Sequence, residues 1–128
     1  MKYGYTKKLN TTFDQAVDQT REELSKEGFG VLTEIDVKAT LKKKLDVDFD
    51  NYIILGACNP PFAYKALQAE HEIGLLLPCN VIVYEKDGGV FVSGILPTVA
   101  MNMVDNSDLQ KVAETIEEKL KTVVNNLN

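Results

Sequence analysis

Apolar and polar positions recur along this chain with two periods, and the switches between them mark its elements. In Met1 to Leu9, Tyr3, Tyr5 and Lys7 fall on one side and Gly4, Thr6 and Lys8 on the other, the period-2 pattern of a strand. Phe13, Ala16, Val17, Thr20 and Leu24 then recur at helical spacing, which predicts a helix over Phe13 to Glu27. Thr12 and Gln15 form a capping box ahead of it, and Gly28 stands where a C-terminal cap belongs. Phe29 to Val37 returns to alternation, and Asp36 is placed to cap a helix over Val37 to Leu45.

Tyr52 to Ala57 is apolar without interruption, as expected of a central strand covered on both faces, by helices or by a partner subunit. Pro60 and Pro61 suit a turn and the first helical position, with a short helix following over Phe62 to Glu72. Val81 to Tyr84 is the next strand, Asp87-Gly88 a hairpin turn, and Val90 to Leu96 the returning strand. Thr98 to Asn106 fits either an edge strand or a loop. Ser107 with Gln110 forms a second capping box, and an apolar stripe from Leu109 to Leu127 predicts a final helix to about Asn125.

The order is thus β-α-β-α-β-α-β-β-α, with no internal repeat and no linker, so residues 1–128 read as one domain. The expected fold class is α/β (α+β): a two-layer sandwich with a mixed sheet covered by helices.

Charge narrows the function classes. A net charge of −5 argues against a protein that grips nucleic acid, which needs a basic face. Lys42-Lys43-Lys44 is the one basic run and reads as a solvated helix end. There is no signal-peptide pattern and no apolar run near the roughly 18 residues of a membrane span, so a cytoplasmic protein without a membrane partner is expected. In that compartment the two cysteines are expected as thiols.

Candidate chemistry gathers between Leu55 and Asn80, which holds both cysteines, the only histidine and three of the four prolines. Gly56, Cys58, Asn59 and Pro60 form a loop that opens a helix, a place where free amides and close backbone approach suit a small ligand or an anion. Cys79 and Asn80 join them only if the chain doubles back. Cys58, His71 and Cys79 have the chemistry for zinc or copper, but the cysteines are 21 residues apart and neither belongs to a Cys-x-x-Cys pair. A helix leading into a parallel strand would place them at opposite ends of the sheet, about 16 Å apart. Cys58 before a helix start is also a candidate nucleophile, although His71 would then lie at the far end of that helix. Glu34 and Asp36 share a strand face and are paired carboxylates, with capping the favoured role for Asp36. Asp46, Asp48 and Asp50 lack the glycine and closing glutamate of a calcium loop.

Three segments carry a family resemblance. Residues Gly28-Phe29-Gly30-Val31-Leu32-Thr33-Glu34-Ile35-Asp36-Val37-Lys38-Ala39-Thr40-Leu41, Gly56-Ala57-Cys58-Asn59-Pro60 and Gly74-Leu75-Leu76-Leu77-Pro78-Cys79-Asn80-Val81 resemble, in order and spacing, the signatures of the family named Domain of Unknown Function 302. The resemblance implies a compact α/β domain and a homodimer. It brings no established activity and no known cofactor.

The leading expectation is therefore a homodimeric small-ligand or anion-binding protein rather than an enzyme. The alternatives are a thiol-dependent redox or metal-binding protein using Cys58 and Cys79, and a structural module presenting the apolar Pro97 to Val104 segment to a partner.

Overall fold

The computed structural model describes residues 2–128, and Met1, the first residue of the predicted leading strand, lies outside them. Five strands form one sheet in the order β1-β5-β4-β3-β2: β1 (Gly4–Leu9), β2 (Gly30–Asp36), β3 (Tyr52–Cys58), β4 (Cys79–Lys86) and β5 (Gly89–Ile95). The helices are α1 (Phe13–Lys26), α2 (Val37–Leu45), α3 (Pro60–Ala69), α4 (Pro97–Ala100) and α5 (Ser107–Asn125), with a short 3-10 helix at His71–Leu76.

Local chemistry sets most of these boundaries. The Thr12 side chain accepts from the Gln15 amide, as the capping box requires. At the other end of α1, Gly28 takes φ +86°, and the amides of Gly28 and Phe29 bind the carbonyls of Ser25 and Leu24. That pair of bonds is a Schellman motif, with Phe29 and Leu24 both buried beside it. Asp36 caps α2 by accepting from the Ala39 amide at 2.9 Å. The β4–β5 hairpin turns on Asp87 and Gly88, both at positive φ, as a two-residue turn demands. The cap of α5 falls one residue earlier than predicted: Asn106 accepts from Leu109, while Gln110 donates to the carbonyls of Met101 and Val104.

The expected mixed sheet is corrected here, since all four strand pairings are antiparallel. The reason lies between β3 and β4. The predicted helix over Phe62 to Glu72 stops at Ala69, where Glu70 turns to extended backbone, and the 3-10 helix carries the chain back. β4 then starts beside the end of β3, with Ala57 opposite Cys79 in the ladder.

α1 and α5 cover one face of the sheet, over Leu55, Val81, Val83 and Val92, all of them fully buried. Each such side chain contributes roughly 1.5–3 kcal/mol through burial. Val124 and Leu120 of α5 pack over Gly94 of β5. A second, smaller apolar cluster joins α3 to α5 through Ala66, Ile73, Met101, Leu109 and Ala113. Pro97 and Met101 are buried in this part of the fold, so the Pro97 to Val104 segment is a short helix and turn rather than an edge strand. Of its apolar side chains, Met103 is the one left largely exposed.

The opposite face of the sheet is different. Tyr52, Ile54, Ile82, Tyr84 and Phe91 all remain partly exposed there. Phe49, Tyr52, Tyr84 and Phe91 run across it as a ladder of rings, with centroids 6.1, 5.6 and 5.2 Å apart. β2, at one edge, is mostly exposed and has a register shift between Val31 and Thr33. None of the residues of α2 is buried.

Candidate ligand pocket

The two apolar clusters meet without merging, and a cavity of about 290 Å³ lies between them. Its floor is the end of the sheet at Ala57 and Cys79. Its sides are α3 and α5, which face each other there with the small side chains of Ala63, Ala66 and Ala113. Phe29, Leu32 and Leu67 flank it, and Leu32 and Leu67 are exposed. The lining is almost wholly apolar. An apolar cavity of roughly 150 Å³ holds a benzene, so this one has space for about two rings or a short acyl chain. Leu77, Pro78, Cys79 and Met101 also line a smaller hollow of about 240 Å³ on the far side, so one layer of side chains separates the two spaces.

Both cysteines line this cavity. The antiparallel register makes them neighbours, and the expectation that they occupy opposite ends of the sheet is overturned. Both are free thiols. Cys79 is 6% exposed, and its thiol is pushed up to about 11, first by loss of solvent and then by Cys58 beside it. At that value roughly one molecule in ten thousand carries a thiolate there at pH 7. A metal ligand or nucleophile needs the thiolate, so this environment works against both roles.

His71 does not join the cysteines. It is exposed on the 3-10 helix, and among the described residues no three histidine, cysteine, aspartate or glutamate side chains converge to hold a metal ion. The turn that brings the thiols into one cavity wall leaves the His71 imidazole outside it.

Asn59 is buried and structural in geometry. Its side-chain amide donates to the Glu27 carbonyl at 3.1 Å and rests against Gly28, tying the start of α3 to the end of α1. The helix start supplies no anion site. Pro60 and Pro61 have no N–H, and the Phe62 and Ala63 amides both donate to the Asn59 carbonyl, at 3.1 and 2.9 Å. Pro60 itself is exposed at the first helical position. Gly56 points its α-hydrogen at Thr33 and Pro78 on the other side of the sheet from Cys79, so it keeps strands close rather than admitting a ligand. Asn80 is exposed on β4 and borders the smaller hollow.

The carboxylate pair is occupied as well. Glu34 forms an ion pair with Arg21, and Asp36 caps α2. Lys42 pairs with Asp46 and Asp48, which leaves the acidic loop a solvated one.

Sequence reasoning thus found the cysteines and Asn59 but missed Phe29, Met101, Ala113 and Ile116 in the cavity wall. A signal existed: Ala66 and Ala113 fall on inward stripes of two helices, where small side chains leave space.

An open-faced antiparallel α+β domain with an apolar pocket at the junction of two small cores is the class this fold and site define. The chain belongs to the family described as Domain of unknown function DUF302, whose model matches residues 5–127. It is similar to a protein solved by crystallography, the uncharacterized conserved protein DUF302 from Bacillus stearothermophilus. The two are 29% identical, with a TM-score of 0.94 and 100% of each chain covered. No curated protein matches this chain. No described helix is long and apolar enough to cross a membrane.

Proposed function

We propose that this chain forms a homodimer that binds a small, uncharged, mainly apolar molecule in the cavity between α3, α5 and the end of the sheet, without turning it over. The observation that carries the reading is the lining: about 290 Å³ walled almost wholly by apolar side chains, with the one buried amide committed to a carbonyl. A charged ligand entering such a wall would lose its hydration and gain no partner. The anion half of the sequence expectation is set aside because the amides it needs are absent or already bonded.

A second reading, reversible bonding between Cys58 and Cys79, is favoured by the place of both thiols in one cavity wall. The raised Cys79 thiol opposes it, because exchange proceeds through the thiolate.

Cys58 lies in the cavity wall and is partly exposed, which provides the test. Naphthalene-sized neutral probes should slow its alkylation by iodoacetamide, and naphthoate should slow it far less. Ala113→Phe should abolish the protection by filling the space. Equal protection by the neutral and anionic probes, or protection that survives Ala113→Phe, would refute the apolar-pocket reading.

A further inference from the structure

Among the described residues the two most exposed large apolar side chains border one groove. Leu75, on the 3-10 helix, is 84% exposed, and Met103, in the turn before α5, is 79% exposed. Ile73, Leu76 and Val104 line the hollow between them, which measures about 250 Å³ and is almost wholly apolar. A cavity of roughly 150 Å³ holds a benzene, so this one has room for one large side chain. Single exposed apolar residues are ordinary on a protein surface, but two at the rim of an apolar hollow make a patch. The groove shares no residue with the ligand cavity and contains no strand residue.

The charge around it has one sign. Residues 66–78 and 97–110, which build the groove, contain Glu70, Glu72, Asp105 and Asp108 and neither lysine nor arginine. None of these four carboxylates is in an ion pair among the described residues. An apolar centre with an acidic rim is complementary to apolar anchors flanked by cations, and it repels nucleic acid and anionic lipid.

The backbone narrows the form of the partner. The amides of Ile73, Leu77, Val104 and Asn106 all donate to carbonyls of the same segments, so there is no free edge for an extended strand to pair with. No aromatic side chain lines the groove, as docking of a polyproline segment requires. A helix with anchors at i, i+3 and i+4 is the form left, and an unbranched methionine adapts readily to such anchors.

We infer that this groove docks a basic amphipathic helix of another protein, with apolar anchors seated between Leu75 and Met103 and cations over Glu70, Glu72, Asp105 and Asp108. The inference is independent of the ligand pocket.

The test uses a fluorescein-labelled 18-residue peptide with leucines at helical spacing and lysines elsewhere, titrated with the full chain and read by anisotropy. Amide shifts of the labelled protein locate the contact. Saturable binding is expected, with shifts confined to residues 70–76 and 101–108. Leu75→Ser with Met103→Ser should weaken it at least about tenfold by removing both apolar contacts. Both side chains are exposed, so the double variant stays folded. Glu72→Gln with Asp105→Asn should weaken it a few-fold, and less at high salt. A peptide with glutamate in place of lysine, and one of the same composition without the stripe, should not bind. Equal binding of either control, an unchanged affinity in the double serine variant, shifts elsewhere, or no binding at about a hundred micromolar would each overturn the inference. Sedimentation of the protein alone covers the remaining occupant: self-association that the double serine variant abolishes would assign the groove to a second copy and overturn it as well.

Discussion

Alkaline pH should destabilise this protein through a single buried thiol. Cys79 sits in the cavity floor with its pKa near 11, against an ordinary value of 9.0, because burial and the neighbouring Cys58 both oppose the thiolate. The folded state therefore holds its proton over a range in which the unfolded chain has released it. Between about pH 9 and 11 the native state binds more protons than the unfolded state, and stability falls as pH rises. Below pH 9 the contribution is fully present, and above 11 it is gone. Two pH units correspond to roughly 3 kcal/mol, a large share of the stability of a small domain. Tyrosines and lysines titrate in the same window, so the comparison must isolate the thiol. Urea midpoints of the wild type and Cys79→Val, measured with reductant from pH 7 to 11, provide it. The wild type should lose stability more steeply above pH 9, and the gap between the two curves should level off past pH 11. Parallel curves would refute the argument that Cys79 titrates in a desolvated site.

Two further outcomes follow from contacts in the same region, each read from urea midpoints. Gly56→Ala would drive a methyl into Thr33 Oγ1 and to within 2.8 Å of Pro78 Cγ, so a loss of about 1–3 kcal/mol is expected. Thr33→Ala should relieve part of that loss and not all of it, and a double-mutant cycle with no coupling would contradict the packing described. Asn59→Leu should cost about 1–3 kcal/mol by leaving the part-buried Glu27 carbonyl without its donor, and an unchanged midpoint would remove the tie between α1 and α3.

The elements were largely legible because their signals are local. Thr12, Gly28, Asp36 and Asp87-Gly88 do in the fold what the sequence pattern assigns them, since caps and tight turns depend on residues a few positions apart. The direction of β4 was not legible. It turns on whether the chain after Ala69 continues or reverses, and Glu70 to Pro78 contains no pattern that distinguishes the two. That one undetermined reversal also governed the site. With β4 parallel, Cys58 and Cys79 separate; with β4 antiparallel, they share a wall. The cavity itself was out of reach for a related reason: it is an absence between two clusters, and spacing along the chain records what packs better than what fails to. Asn59 shows the opposite limit, because its partner, the Glu27 carbonyl, is 32 residues away and belongs to a helix end.

The break in register on β2 works against edge-to-edge polymerisation. β2 is an edge strand with exposed Leu32 and Ile35, and an edge of that kind is a template for adding strands from other copies. The shift between Val31 and Thr33 interrupts the run of evenly spaced amides and carbonyls that a new strand would need. Beyond the break the edge carries Glu34 and Asp36, so two such strands laid side by side would bring carboxylates together. Growth into a continuous cross-β ribbon is thus disfavoured at this edge of the sheet.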